Sequence, residues 1–216
     1  MFKKAGITET PKTITELKAD AEKLKAIGVI PFANAYQEWW LLGNQGISVA
    51  FARQDDVNAF IKGLNDGTAS IVGNDKFEKW SNLLKLTVDY GQKNPLTTDA
   101  NTHLAMFANG EAAMMQEGNW AQTLVDNINP NMNIGMFPMP IDDDAEHNDK
   151  MTVGIPALST IQATPEDIGD LGSDVWNYVK ENKVYGLQSS KFPDGVTQEF
   201  ASVIQQYIAG KMDVKG

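Results

Sequence analysis

The chain contains no cysteine, which removes disulfides, thiolate metal sites and a cysteine nucleophile together. No apolar run reaches the roughly 18 residues needed to span a membrane. The opening Met1-Phe2-Lys3-Lys4 leads into no hydrophobic stretch, so no signal peptide is expected. Basic residues are in the minority: 18 Lys and Arg stand against 28 Asp and Glu, a formal net charge of −10. Such a surface has no excess cation to neutralise phosphates, which argues against a nucleic-acid partner.

Groupings that would signal chemistry are also missing. His103 and His147 are the only histidines, and neither has a second ligand at zinc spacing. His103 falls in a helical pattern, as a surface or satisfied residue. Asp142-Asp143-Asp144, with Glu146 and Asp149, lacks the spacing of a calcium loop and reads as a solvated acidic loop. There is neither a glycine-rich phosphate loop nor a G-x-S-x-G nucleophile elbow. No catalytic residue, metal or cofactor is expected.

What is present is a full complement of core-forming residues: 42% of the 216 are apolar and 21% charged, ordinary for a globular chain. Thr13-Ile14-Thr15-Glu16 is a capping box, and Ile14, Leu17, Ala21 and Leu24 recur at helical spacing up to Gly28. Val29–Ala33 then reads as a short buried strand, the helix-glycine-strand order of α/β layering. Further helices are expected over Asp56–Leu64, Lys76–Lys93, Thr102–Asn109, from Gly118-Asn119-Trp120 to Ile128, from Gly169 onward, and over Thr197–Ala209. Strands are expected at Ala112–Met115, Ile134–Phe137 and Met151–Gly154.

The phrase Phe107-Ala108-Asn109-Gly110-Glu111-Ala112-Ala113-Met114-Met115-Gln116-Glu117-Gly118-Asn119-Trp120 meets every fixed position of F-x-x-G-x-A-A-M-x-x-x-G-x-W. In this it resembles the bacterial extracellular solute-binding proteins, the family that includes maltose-binding protein. The opening Phe2–Ile7, Pro11-Lys12-Thr13 and Thr152-Val153-Gly154 follow in the family's order. The resemblance implies an α/β fold, one lobe of the class II periplasmic-binding-protein type with a central sheet flanked by helices. It further implies a single C-terminal lobe over 1–216, built from 1–154 and 157–216. Ile155-Pro156-Ala157-Leu158 follows Gly154 at once, where family members leave for the other lobe, so a seam is expected at 154–158. An excised or engineered lobe is the expectation that follows.

Sugars present apolar C–H faces that pack on aromatic rings and hydroxyls that need planar polar partners. Gly118-Asn119-Trp120 suits both, at a strand-to-helix turn with free backbone N–H groups. Burial statistics would place Trp120 in a core; the resemblance gives it the stacking role. The resemblance also puts Tyr36 toward the cleft, with Glu38 or Asn34 as hydroxyl acceptors. Trp39 and Trp40 cannot both face one side of an extended segment, and Trp40 is taken as packing and Trp39 as ligand-facing. After Tyr185-Gly186, Leu187 stands where the family often has an aromatic, leaving Gln188 as a hydroxyl-binding candidate and Phe192 as a brace.

These readings converge on a non-catalytic carbohydrate-binding component of an ABC sugar importer. Its partners would be a sugar or oligosaccharide, the importer's membrane subunits, and a second copy paired through the exposed cleft face; its location would be extracellular or periplasmic. With one lobe alone, weak or undetectable affinity is expected. Two rivals remain: a folding module with little affinity, and a small glycoside-processing enzyme. The enzyme needs two carboxylates about 5–10 Å apart, and Glu38 and Glu117 are the only glutamates near the site.

Overall fold

A computed structural model describes residues 1–152 and 165–213. The capping box forms as expected. The Thr13 hydroxyl accepts the Glu16 N–H at 3.1 Å, and the Glu16 carboxylate accepts the Thr13 N–H at 3.2 Å. That starts α1 (Ile14–Ala26), which buries Leu17, Ala21 and Leu24 on one stripe. The chain then enters β1 (Ile30–Ala33), reached from a left-handed Gly28.

β1 pairs in parallel with β2 (Ala112–Met115), Ile30 opposite Ala112 and Phe32 opposite Met114. A parallel pair needs a crossover, here built from α2 (Ile47–Ala52), α3 (Val57–Asp66), α4 (Asp75–Asp89) and α5 (Ala100–Ala108). After β2 come α6 (Ala121–Ile128) and the single turn α7 (Ala145–Asn148). A second parallel pair joins β3 (Met151–Thr152) to β4 (Val184–Tyr185), with α8 (Pro165–Lys180) between them and α9 (Val196–Ile208) after. α8 bends at Gly169, whose φ of 68° and ψ of −177° are outside any helix and inaccessible to most side chains.

The main core lies under β1 and β2. Phe51 is fully buried, with the rings of Phe60, Phe77 and Phe192 at 6.0, 5.2 and 5.4 Å. Phe192 therefore does brace its loop, against α2. Burying each such ring contributes about 1.5–3 kcal/mol, so this aromatic cluster anchors the C-terminal segment to the crossover helices. A second core joins α5 and α6 through Leu104, Ala108, Ala121 and Val125, with Ile134 and Leu171.

Two expectations need correcting. Residues 134–137 form no strand; the Met136 N–H goes to the Asp174 carboxylate of α8 at 2.7 Å, not to a neighbouring strand. The Asp142–Lys150 loop is not simply solvated. Asp143 accepts the Thr15 N–H and hydroxyl at 3.0 and 2.9 Å, and Asp144 caps α7. Of the two readings of His103, surface or satisfied, the buried one holds: it is 1% exposed with Nε2 on the Glu117 carboxylate at 3.1 Å. Of the strand expected at Met151–Gly154, Met151 and Thr152 are β3 and the rest falls outside the described residues, as does the seam at 154–158.

Candidate functional site

Because β1 and β2 run parallel, the segments that follow them leave at the same end of the sheet, the carboxyl end, where open α/β sheets collect ligands. From β2 the chain passes through Gln116 and Glu117 into the Gly118–Trp120 turn, then into α6. Trp120 is 40% exposed although it follows a buried strand. Its ring folds back over Gly118, where an added Cβ would run into Cζ3, Cη2 and Cε3 of the indole. Its Nε1–H donates to Glu117 Oε2 at 2.7 Å, and Glu117 Oε1 meets His103 Nε2 at 3.1 Å. The ring is thus held at edge and face and still open to solvent, unlike a core residue.

Gly118 is required for that posture. In Gly118→Ala the methyl has no room unless the indole swings away, an overpacking cost of about 1–3 kcal/mol. The expected result is a changed near-ultraviolet circular dichroism band with unchanged far-ultraviolet signal.

A cavity of about 600 Å3 opens beside the turn. Glu117, Gly118, Trp120, Asn34, Leu187 and Arg53 are among its walls, and Met1, Met114, Met115, Met132, Met136, Met139 and Met151 line much of the rest. Methionine is unbranched and polarisable, so such a lining adapts to irregular shapes.

Of the residues expected at the site, Gly118, Trp120 and Asn34 meet on this cavity, Asn34 buried with its amide donating to the Thr87 carbonyl at 2.7 Å. Asn119 is half-buried in the turn, its carbonyl accepting the Gln122 N–H at 3.3 Å. Tyr36 is placed otherwise than expected: it is 2% exposed in the main core. Its hydroxyl lies 2.7 Å from Thr87 Oγ1, which donates onward to the Leu84 carbonyl, so Tyr36 is the donor. Burial pushes that phenol well above its ordinary pKa, against the smaller opposing effect of the Thr87 hydrogen bond. The Tyr36–Trp40 segment turns instead of extending, with the Glu38 N–H on the Ala35 carbonyl at 3.0 Å. Trp39 is 37% exposed and Trp40 half-buried. Glu38 accepts the Ala100 N–H at the start of α5 at 3.3 Å. Gln188 is buried, its backbone N–H donating to the Ser48 hydroxyl at 3.3 Å and its side-chain amide to the Gly186 carbonyl, while Leu187 reaches the cavity.

Sequence reasoning missed Arg53 on the cavity wall. Its guanidinium is 1% exposed and donates to the carbonyls of Lys150, Met139 and Asn148 at 3.0, 3.1 and 3.0 Å. Burial pushes its pKa down to about 10, with Asp142, Tyr185 and Asp149 pulling the other way, and it stays charged at neutral pH. His147 adds a second tie, its ring bridging the Asp142 carboxylate at 2.9 Å and the Arg53 carbonyl at 3.2 Å. Only an otherwise unexplained arginine in an apolar run, Val49–Ala52, hinted at this.

Asp142 makes that corner pH-sensitive. Burial alone would raise its carboxyl, but the Lys79 ammonium, the Asp144 N–H and His147 hold it below the ordinary value. A carboxyl depressed in the folded state contributes stability above its unfolded pKa of about 4, lost as pH falls through the lower folded value. Melting temperature should therefore drop between about pH 5 and pH 2, and Asp142→Asn should flatten that limb while lowering stability at pH 7.

The fold is an α/β lobe of the class II periplasmic-binding-protein type, as the solved structures it superposes on show. Residues 1–164 match the model of the bacterial extracellular solute-binding protein family, and the chain belongs to that family. The multiple sugar-binding protein of Streptococcus mutans is 33% identical over 143 residues, 64% of this chain and 34% of that protein. A chitin oligosaccharide binding protein superposes with a TM-score of 0.73 at 20% identity, over 99% of this chain and 63% of that one. The solute-binding protein RafE in complex with raffinose gives 0.68 at 16% identity, over 97% and 66%. The chain thus spans about a third of the length of the curated relatives it matches.

Proposed function

We propose that this chain is the sugar-contacting lobe of the binding component of an ABC importer, that a sugar ring stacks on Trp120, and that it makes and breaks no bond. One observation carries the reading: a large aromatic ring, fixed at edge and face, lies open at the carboxyl end of a parallel strand pair and beside a 600 Å3 cavity. The sugar-binding names among its relatives support it. The glycosidase reading is disfavoured because both carboxylates are engaged, Glu38 by the α5 start and Glu117 by Trp120 and His103. In the whole protein a second lobe would close over the sugar, and the closed form would dock outside the cell on the importer's membrane subunits.

The test is titration with raffinose and a chitin trisaccharide, followed by tryptophan fluorescence. One lobe supplies only part of the contacts, so saturable binding in the range of about 1 mM, roughly 4 kcal/mol, is expected. Absence of any response at tenfold higher concentration, or release of hydrolysis products, would overturn the proposal. The exposed stripe Trp120, Leu124 and Ile128 along α6 is where a second copy would pair. Sedimentation should then show a concentration-dependent dimer that Leu124→Lys abolishes.

A further inference from the structure

We infer that Glu117, braced by His103, is the residue that sets the orientation of Trp120, a positioning residue and not a hydroxyl acceptor for the ligand. The inference rests on the reading that Trp120 meets the sugar, and it concerns how the ring is made ready. Glu117 is nearly buried, its side chain 8% exposed beside a His103 side chain at 1%. Each carboxylate oxygen already holds one partner: Oε2 takes the indole N–H at 2.7 Å, and Oε1 faces His103 Nε2 at 3.1 Å. A carboxylate only accepts, so His103 must carry its proton on Nε2. Its Nδ1 is buried without a partner among the described residues.

The indole has one polar atom and it is a donor only. Tying that atom fixes the ring edge, while contact with Gly118 fixes one face. Together these leave the ring few ways to turn and keep its remaining surface for a ligand. His103 comes from α5 and Trp120 opens α6, so the Glu117 bridge also ties together the two helices that share the second core. A ring held in its binding posture before the ligand arrives loses little rotational freedom on stacking. A free tryptophan on the same turn would lose more.

The experiment uses the full chain labelled with nitrogen-15 and follows the indole Nε1–H resonance of Trp120, assigned by its disappearance in Trp120→Phe. In the parent protein this proton should resonate downfield and exchange slowly, as expected of a charge-assisted bond. Glu117→Ala should move it upfield, speed its exchange about tenfold, and weaken raffinose and chitin trisaccharide binding by roughly 5–10-fold. Glu117→Gln keeps an acceptor oxygen and should restore most of the shift and affinity; His103→Gln should fall between. If Glu117→Ala fails to fold, the Gln variants carry the comparison. An indole resonance indifferent to all three changes would sink the inference, as would affinity lost while the resonance stays put, since Glu117 would then contact sugar directly. If the resonance responds as expected but no sugar binds the parent protein, the positioning role stands and the sugar reading falls.

Discussion

Arg53→Met is expected to destabilise the protein by about 3 kcal/mol, because three buried carbonyls lose charge-assisted donors at once. The side chain is removed with little change in volume, so a packing defect is a minor part of the effect. Losing a desolvated cation returns some free energy, which keeps the figure below the sum of three full bonds. Against a total stability of about 5–15 kcal/mol this is a large fraction. The urea midpoint should fall by about 1 M with unchanged slope. Arg53→Lys should recover only part of it, since an ammonium cannot reproduce the planar fork that spans Met139, Asn148 and Lys150. A midpoint shift under about 0.3 M would show that water replaces the guanidinium at the carbonyls.

Trp120→Ala is expected to abolish measurable sugar binding while leaving the fold intact. A buried aromatic anchor at the centre of a binding face is worth about 2 kcal/mol or more, roughly a thirtyfold loss. Starting from millimolar affinity, that loss puts the dissociation constant beyond practical concentrations. Stability should fall only modestly, because the ring is 40% exposed and its removal costs mainly the Nε1–H bond to Glu117. Calorimetry of the variant against raffinose, beside a melting curve, separates the two effects. Binding unchanged in Trp120→Ala would move the ligand face elsewhere, Trp39 being the other exposed tryptophan.

Much of the architecture was legible because its cues are local. The Thr13–Glu16 box and the apolar stripe of α1 each need only a few neighbouring residues. The Gly118–Trp120 turn was legible through the phrase it shares with the family, whereas the fold of the indole over Gly118 was not foreseen. What was not legible depends on partners far along the chain. Residues 134–137 have the composition of a strand, yet Met136 finds Asp174, 38 residues on. Tyr36 looked ready for a ligand until Thr87 took its hydroxyl, 51 residues away. The acidic run at 142–144 looked solvated because Thr15 and Lys79, 128 and 63 residues from their partners in it, could not be foreseen.

The Arg53 cluster also has a consequence for the order of events during synthesis. The guanidinium is translated 97 residues before the Lys150 carbonyl that receives it. At about 5–20 residues per second, that is a wait of roughly 5–20 s. Strand β1 waits almost as long for β2, since Ile30 cannot pair until Ala112 exists. Through this interval the first helices must keep a cation and an unpaired strand edge in water. The nascent chain is thus most vulnerable to aggregation before the residues around Lys150 leave the ribosome, which makes early truncations the poorest candidates for soluble expression.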